Sequence, residues 1–134
     1  FGYAFCPDAC PTDVAVMMKG FQKFEKEHAA QAAKVQPVFV TIDPARDTVK
    51  VVKEFTDSFH PRLLGLTGTQ AEVDTAAMAF RVYATRGKDL GAGNYLMDHS
   101  RFAYLMDPDG QPLVILPVDK GPDAVASDLA ASVR

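Results

Sequence analysis

The sequence contains no run of apolar residues long enough to cross a bilayer. Its longest strand-like stretches, Val38–Ile42 and Leu113–Val118, fall far short of the roughly 18 residues a membrane helix needs. No basic run is present either: 14 Lys and Arg face 17 Asp and Glu, for a formal net charge of −3. That balance argues against a nucleic-acid partner and supplies no attraction to anionic lipid. Internal repeats, low-complexity tracts and linkers are absent. Nothing at the start reads as a signal peptide. The chain opens at Phe1, and Phe1-Gly2-Tyr3-Ala4-Phe5 already reads as a strand. Domains rarely begin inside a strand, so further sequence is expected ahead of this segment, and a missing anchor or leader carries no information about compartment. Cysteine is scarce. The two present, Cys6 and Cys10, lie close together, which excludes a scattered disulfide framework and points to metal or redox chemistry.

The 134 residues are the size of one domain, taken here as 1–134, with 48% apolar and 23% charged residues, as in ordinary globular proteins. After the opening strand, Cys6–Pro11 reads as a loop. Pro11 or Thr12 starts a helix with Asp13 in its first turn. Val14, Met17, Phe21, Phe24 and His28 continue at helical spacing, so this helix is expected to run to about Ala33. Val35–Ile42 is nearly all apolar, the pattern of a strand buried on both faces. Asp47 or Thr48 caps a second helix with a stripe of Val49, Val52, Phe55 and Phe59. Leu63–Thr67 is a short strand, and Thr69 caps a third helix carrying Val73, Ala77 and Phe80. Val82–Thr85 reads as a short strand, and the polar, glycine-rich Arg86–Asn94 as a loop. Phe102–Met106 and Leu113–Leu116 flank Asp107-Pro108-Asp109-Gly110, a hairpin turn with Gly where φ must be positive. A last helix spans about Pro122 to Val133. Strand and helix alternate before a closing hairpin, which predicts a thioredoxin-like α/β fold with a central mixed sheet flanked by helices.

Cys6-Pro7-Asp8-Ala9-Cys10-Pro11 lies between a strand end and a helix start, where open α/β sheets place their working sites. The helix dipole favours thiolate there. Cysteines at i and i+4 can face one way if the loop has helical character, and can then close on one soft metal ion or on each other. Three residues separate them, one more than in the thioredoxin redox motif, which suits a metal bite or a slower disulfide. The negative Asp8 between them opposes a lone thiolate, a repulsion that a bound cation relieves. The competing reading is two inert core cysteines, but core cysteines have no reason to bracket a loop at a helix entrance.

Of the three histidines, His28 lies on or beside an apolar helix stripe and His60 precedes a proline in a turn, so both read as structural. His99 follows the Gly91-Ala92-Gly93-Asn94 loop and precedes a core strand. In the thioredoxin plan that loop packs against the cysteine loop. A neutral imidazole suits copper, and Asp98 either orients the ring or is solvated. Two thiolates and one imidazole make a trigonal set: sulfur selects copper(I), and nitrogen makes copper(II) tolerable. Zinc fits the ligand types but a structural zinc site wants a fourth ligand. Met97 is a conceivable soft ligand, although methionine more often fills a core.

These residues resemble the Sco/SenC family of copper proteins. Phe1-Gly2-Tyr3 before Cys6-Pro7-Asp8-Ala9-Cys10-Pro11 is similar to its copper loop, and Thr41-Ile42-Asp43-Pro44-Ala45-Arg46-Asp47-Thr48 to its second block. Leu64-Gly65-Leu66-Thr67-Gly68 resembles its third. Tyr95-Leu96-Met97-Asp98-His99-Ser100, followed by Tyr104-Leu105-Met106-Asp107-Pro108-Asp109-Gly110, resembles its histidine block. The resemblance covers essentially the whole chain, in order. It implies that Cys6, Cys10 and His99 bind copper as Cu(I) or Cu(II), and that the protein delivers copper to, or matures, the copper A centre of cytochrome c oxidase. It further implies a membrane-tethered domain facing the periplasm of a bacterial inner membrane or the mitochondrial intermembrane space. The copper-bearing oxidase subunit, or another copper protein, is the implied partner. Two departures stand out. The N-terminal hairpin and tether usual in the family are expected to be missing here, and Ala4-Phe5 replaces a pair that is often Thr-His, which dries the rim of the site.

On this reading the protein is a metallochaperone rather than an enzyme. The alternative is a thiol–disulfide reductase that keeps a partner's copper ligands reduced, with Cys6 attacking and Cys10 resolving; it gives His99 no role. A peroxidase on the same fold would want Thr where Tyr3 stands. Lys19–Glu27 places its charges on a solvated helix face, and Asp43, Arg46 and Asp47 are expected to shape the turn and cap the next helix, with docking as a minor alternative.

Overall fold

A computed structural model describes residues 1–4, 9–91, 94–99 and 102–134. The chain forms two compact units, one of residues 1–11 and 37–101, the other of residues 12–36 and 102–134.

In the first unit, β1 (Val38–Val40) and β2 (Leu64–Leu66) pair in parallel with Val38 opposite Leu64 and Val40 opposite Leu66. Helix α3 (Val49–Asp57) makes the crossover between them. The opening segment lies along the other edge of β1's continuation. Gly2 forms a parallel bridge to Thr41, its N–H donating to Val40 O at 3.1 Å and its carbonyl accepting from Ile42 N–H at 2.8 Å. The strand expected at Phe1–Phe5 is, among the described residues, this single bridge.

Burial of β1 on both faces does not hold. Phe39 is buried and meets Phe55 of α3 at 5.0 Å between ring centroids, whereas Val38, Leu64 and Leu66 are each at least 40% exposed. Helix α3 approaches β2 closely because residue 65 is glycine: a Cβ there would collide with the Val52 and Thr56 methyl groups. Thr48, not Asp47, is the N-cap, its hydroxyl accepting from Val51 N–H at 3.3 Å. The inward stripe is Val52 and Thr56 with half-buried Phe55, while Val49 is 74% exposed.

Helix α4 (Gln70–Ala79) opens with a capping box. Thr69 accepts from Glu72 N–H, and the Glu72 carboxylate, whose pKa this bonding lowers, accepts from Thr69 N–H. Val73 and Ala77 are its buried face, and Phe80, partly exposed, stacks on Phe1 at 5.3 Å.

The expected loop at Arg86–Asn94 is instead a hairpin. β3 (Ala84–Gly91) and β4 (Asn94–His99) are antiparallel, with Ala84 opposite His99 and Arg86 opposite Met97. The register shifts between Arg86 and Asp89 and again before Gly91. Extra residues on one strand break the alternation of polar and apolar side chains, which is why this stretch does not read as strand.

In the second unit, the part of α1 (Ala9–Glu27) from Thr12 onward supplies buried Val14, Met18, Phe21 and Phe24 at helical spacing. It begins before the expected start at Pro11 or Thr12; proline is tolerated in a first turn, where its missing N–H has no intrahelical partner. It stops short of Ala33. His28 has φ −139° and ψ 56°, outside the helical region, and a short α2 (Ala29–Ala32) follows. β5 (Ala103–Met106) and β6 (Pro112–Leu116) form the expected hairpin. The Asp107 carboxylate accepts from Asp109 and Gln111 N–H at 2.9 and 2.8 Å, and Gly110 has φ +82°. α5 (Pro122–Ser132) contributes buried Val125, Ala126 and Leu129. Among the described residues, no helix is long and apolar enough to cross a membrane.

Candidate metal centre

Cys6 lies outside the described residues. Cys10 is the second residue of α1, so it stands in a helical first turn and not in the loop expected from sequence. His99 is the last residue of β4 and is paired with Ala84. Cys10 and His99 both belong to the first unit.

The segments leading to Cys6 and to His99 are tied to each other. The buried Tyr3 hydroxyl accepts from Met97 N–H at 3.1 Å. Tyr3 stands three residues before Cys6, and Met97 two before His99. Tyr3 and Ile42 form a small apolar core against which Phe1, Val82 and Met97 pack. That packing agrees with Met97 as core filler.

The turn over residues 41–48 holds both segments. On one side the Asp47 carboxylate takes Ala4 N–H and the Thr41 hydroxyl through one oxygen, at 2.7 and 2.8 Å. The Thr67 hydroxyl donates to the Asp47 carbonyl at 3.0 Å. Asp47 has no exposed surface, and Oδ1 has no hydrogen-bond partner among the described residues. Burial, reinforced by the neighbouring Asp43 charge, pushes its carboxyl above the usual range. The bonds from Ala4 and Thr41 and the Arg46 charge act the other way.

On the other side the Asp43 carboxylate accepts Arg46 Nε–H at 2.6 Å and the Tyr95 hydroxyl at 2.8 Å. The Arg46 guanidinium lies 3.7 Å from the Tyr95 ring centroid and 5.5 Å from that of Tyr3. It therefore stands between the residue ahead of the cysteines and the strand that ends at His99. Arg86 stacks on Tyr95 as well, at 3.8 Å. Arg86 pairs with Met97, so Tyr95 is its diagonal neighbour across the hairpin, within reach of a long side chain. Burial first, then the bond to Asp43, holds the Tyr95 phenol above its ordinary pKa, so it stays a donor. Beside this cluster a cleft of about 340 Å³ opens, lined by Asp43, Val73, Arg86, Tyr95 and Met97 among others.

From sequence, Asp43, Arg46 and Asp47 were expected to shape the turn and cap a helix, and Tyr95 was unassigned. Asp43 does shape the turn, accepting the backbone N–H of Asp47 on its own carbonyl at 2.9 Å. The signal that more was at stake is the number of charges: a helix start needs one capping side chain, and this turn carries three ionic groups. His60 is structural, as expected: it is buried, and its Nδ1 accepts from Arg62 N–H at 3.0 Å. His28 is exposed and meets the Phe24 ring at 5.7 Å.

A family model described as SCO1/SenC matches residues 1–134. The mitochondrial SCO2 homologue of Danio rerio is 42% identical over 110 residues, covering 82% of this chain and 39% of that protein. The chain thus spans about two fifths of the length of the curated relative. Among solved structures, Bradyrhizobium japonicum ScoI with copper bound aligns with a TM-score of 0.86 at 36% identity, covering 99% of this chain and 82% of the other. Yeast Sco1 with copper bound aligns with a TM-score of 0.86 at 37% identity, covering 98% and 71%. The fold is the mixed α/β, thioredoxin-like fold of these proteins.

Proposed function

The chain belongs to the SCO1/SenC family, and from that premise we propose that it carries one copper ion on Cys6, Cys10 and His99. It delivers that copper to, or uses it to mature, the copper A centre of cytochrome c oxidase. The donor set fits the cargo: two thiolates select copper(I), and one imidazole keeps copper(II) accessible. The observation that carries the reading is the bond from Met97 N–H to the Tyr3 hydroxyl, which joins the segment before Cys6 to the strand ending at His99. The copper bound in the ScoI and yeast Sco1 structures supports it. On this reading residues 1–134 act as one domain, tethered to a membrane and facing the periplasm or the mitochondrial intermembrane space, with the copper-bearing oxidase subunit as partner.

The test is an anaerobic copper(I) competition titration of the reduced protein beside Cys6→Ser, Cys10→Ser and His99→Ala. One tight equivalent, lost in the cysteine variants and weakened in His99→Ala, is the expected result. Absence of binding, or binding indifferent to His99, overturns the three-ligand reading.

A second reading, a thiol–disulfide reductase with Cys6 attacking and Cys10 resolving, draws on the close cysteine pair, the second member of which stands at a helix start. It separates from the first on His99: reduction of an oxidised copper-site peptide by the metal-free protein should survive His99→Ala and vanish with Cys6→Ser.

A further inference from the structure

We propose that Tyr95 is a positioning residue for His99, fixing the strand that carries the imidazole before any metal arrives. The inference rests on the copper reading above and assigns a role to a residue that offers no ligand to the ion.

Three contacts converge on Tyr95. Its hydroxyl donates to the buried Asp43 carboxylate at 2.8 Å, and that carboxylate is itself held by Arg46 at 2.6 Å. The guanidinium groups of Arg46 and Arg86 stack on its ring at 3.7 and 3.8 Å. Arg46 comes from the turn after β1 and Arg86 from β3, so the ring ties β4 to both neighbours. Tyr95, Met97 and His99 are alternate residues of β4. Tyr95 thus anchors the near end of the strand, the bond from Met97 N–H to Tyr3 anchors its middle, and His99 ends it.

The bulged register gives this anchoring a purpose. Both register shifts fall between Arg86 and Gly91, facing Asn94 to Met97, so backbone pairing alone restrains that half of the ladder less. Side-chain contacts on Tyr95 then set its register, which the regular pairs Arg86–Met97, Thr85–Asp98 and Ala84–His99 carry on to the end of the strand. A bond to a charged, buried acceptor is stronger than one between neutral groups, and the cation–π contacts add to it, the largely buried Arg46 more than the exposed Arg86. Side chains hydrogen-bonded directly to a metal ligand are worth about 10- to 100-fold in affinity, and Tyr95, which acts through the strand, is set at the lower end of that range.

The test compares copper(I) affinity in the wild type, Tyr95→Phe, His99→Ala and the double variant, by anaerobic competition. It is read together with hydrogen exchange of the Met97 and His99 amides in the copper-free protein. Tyr95→Phe removes only the hydroxyl and is expected to weaken copper binding by about tenfold. It should have no further effect on the His99→Ala background, and should speed exchange of the β4 amides without copper present. Arg86→Met, at an exposed position, should reproduce the pattern at smaller size and guards against a folding defect in Tyr95→Phe. Equal weakening on both backgrounds, or unchanged affinity and exchange in Tyr95→Phe while His99→Ala loses affinity, overturns the positioning role and leaves the copper reading intact. A wild type that binds no copper, or binding untouched by His99→Ala, overturns the copper reading and the positioning role with it.

Discussion

The Tyr3 hydroxyl accepts the backbone N–H of Met97 at 3.1 Å, joining residues 94 positions apart in the chain. Tyr3 is buried, so Tyr3→Phe strands the Met97 N–H with little access to water. An unsatisfied buried donor costs about 1–3 kcal/mol. Tyr3→Phe is therefore expected to lower the unfolding free energy measured in urea by that amount and to accelerate exchange of the Met97 amide more than that of the α3 amides. A uniform acceleration would mean that the bond does not locally secure β4.

Asp47 predicts an unusual pH dependence. Its carboxyl is pushed up in the folded state, chiefly by burial. Between the ordinary carboxylate pKa and the raised one, the folded chain holds a proton that the unfolded chain has released. Stability therefore falls as pH rises through that window and levels off above it, opposite to a salt-bridged carboxylate. Asp47→Asn cannot ionise, so its denaturation free energy, followed from about pH 4 to about pH 7, should lack this descending component. Parallel pH profiles for wild type and Asp47→Asn would refute the assignment.

The parts of the fold that the sequence made legible are those with local physical causes. Thr69 caps its helix and Asp107 to Gly110 make a tight turn, both as expected, and Glu72 completes a capping box with Thr69. The hairpin of β3 and β4 was hidden because its bulged register suppresses the alternation by which strands are recognised. The helix start at Ala9 was hidden by Pro11, which reads as a first residue although any position in the first turn accepts it. The candidate ligands were visible through the order of the motif blocks. The stacking of Arg46 between Tyr3 and Tyr95 was not, because no local pattern brings residue 46 to residues 3 and 95.

His60 offers a control for the metal reading. It is buried after α3, and its Nδ1 accepts the Arg62 N–H at 3.0 Å, so its ring already serves the turn. His60→Ala should leave copper(I) affinity at the wild-type value while lowering stability by about 1–3 kcal/mol through the lost bond. A drop in affinity matching that of His99→Ala would place His60 in the site and displace the three-ligand assignment.

Gly20, in the middle of α1, sets two effects of opposite sign against each other. Glycine within a helix is about 1 kcal/mol less favourable than alanine, so propensity alone says that Gly20→Ala stabilises. The added Cβ, however, would stand 2.6 Å from Val125 Cβ and 2.8 Å from the Pro122 carbonyl oxygen. Neither is the yielding end of a long side chain. Val125 has no exposed surface and sits in α5, which would have to move away from Gly20. Overpacking of this kind costs about 1–3 kcal/mol and outweighs the gain in propensity at most of that range. Gly20→Ala should therefore lower the thermal midpoint. Val125→Ala, which removes the methyl groups but keeps the Cβ, should not rescue it, because the collision is with Val125 Cβ and the Pro122 carbonyl. Even Val125→Gly, which removes that Cβ, should restore only part of the loss, because the Pro122 carbonyl stays in place and a glycine within α5 has its own cost. A Gly20→Ala variant more stable than wild type would show that α1 and α5 can separate without penalty at this crossing.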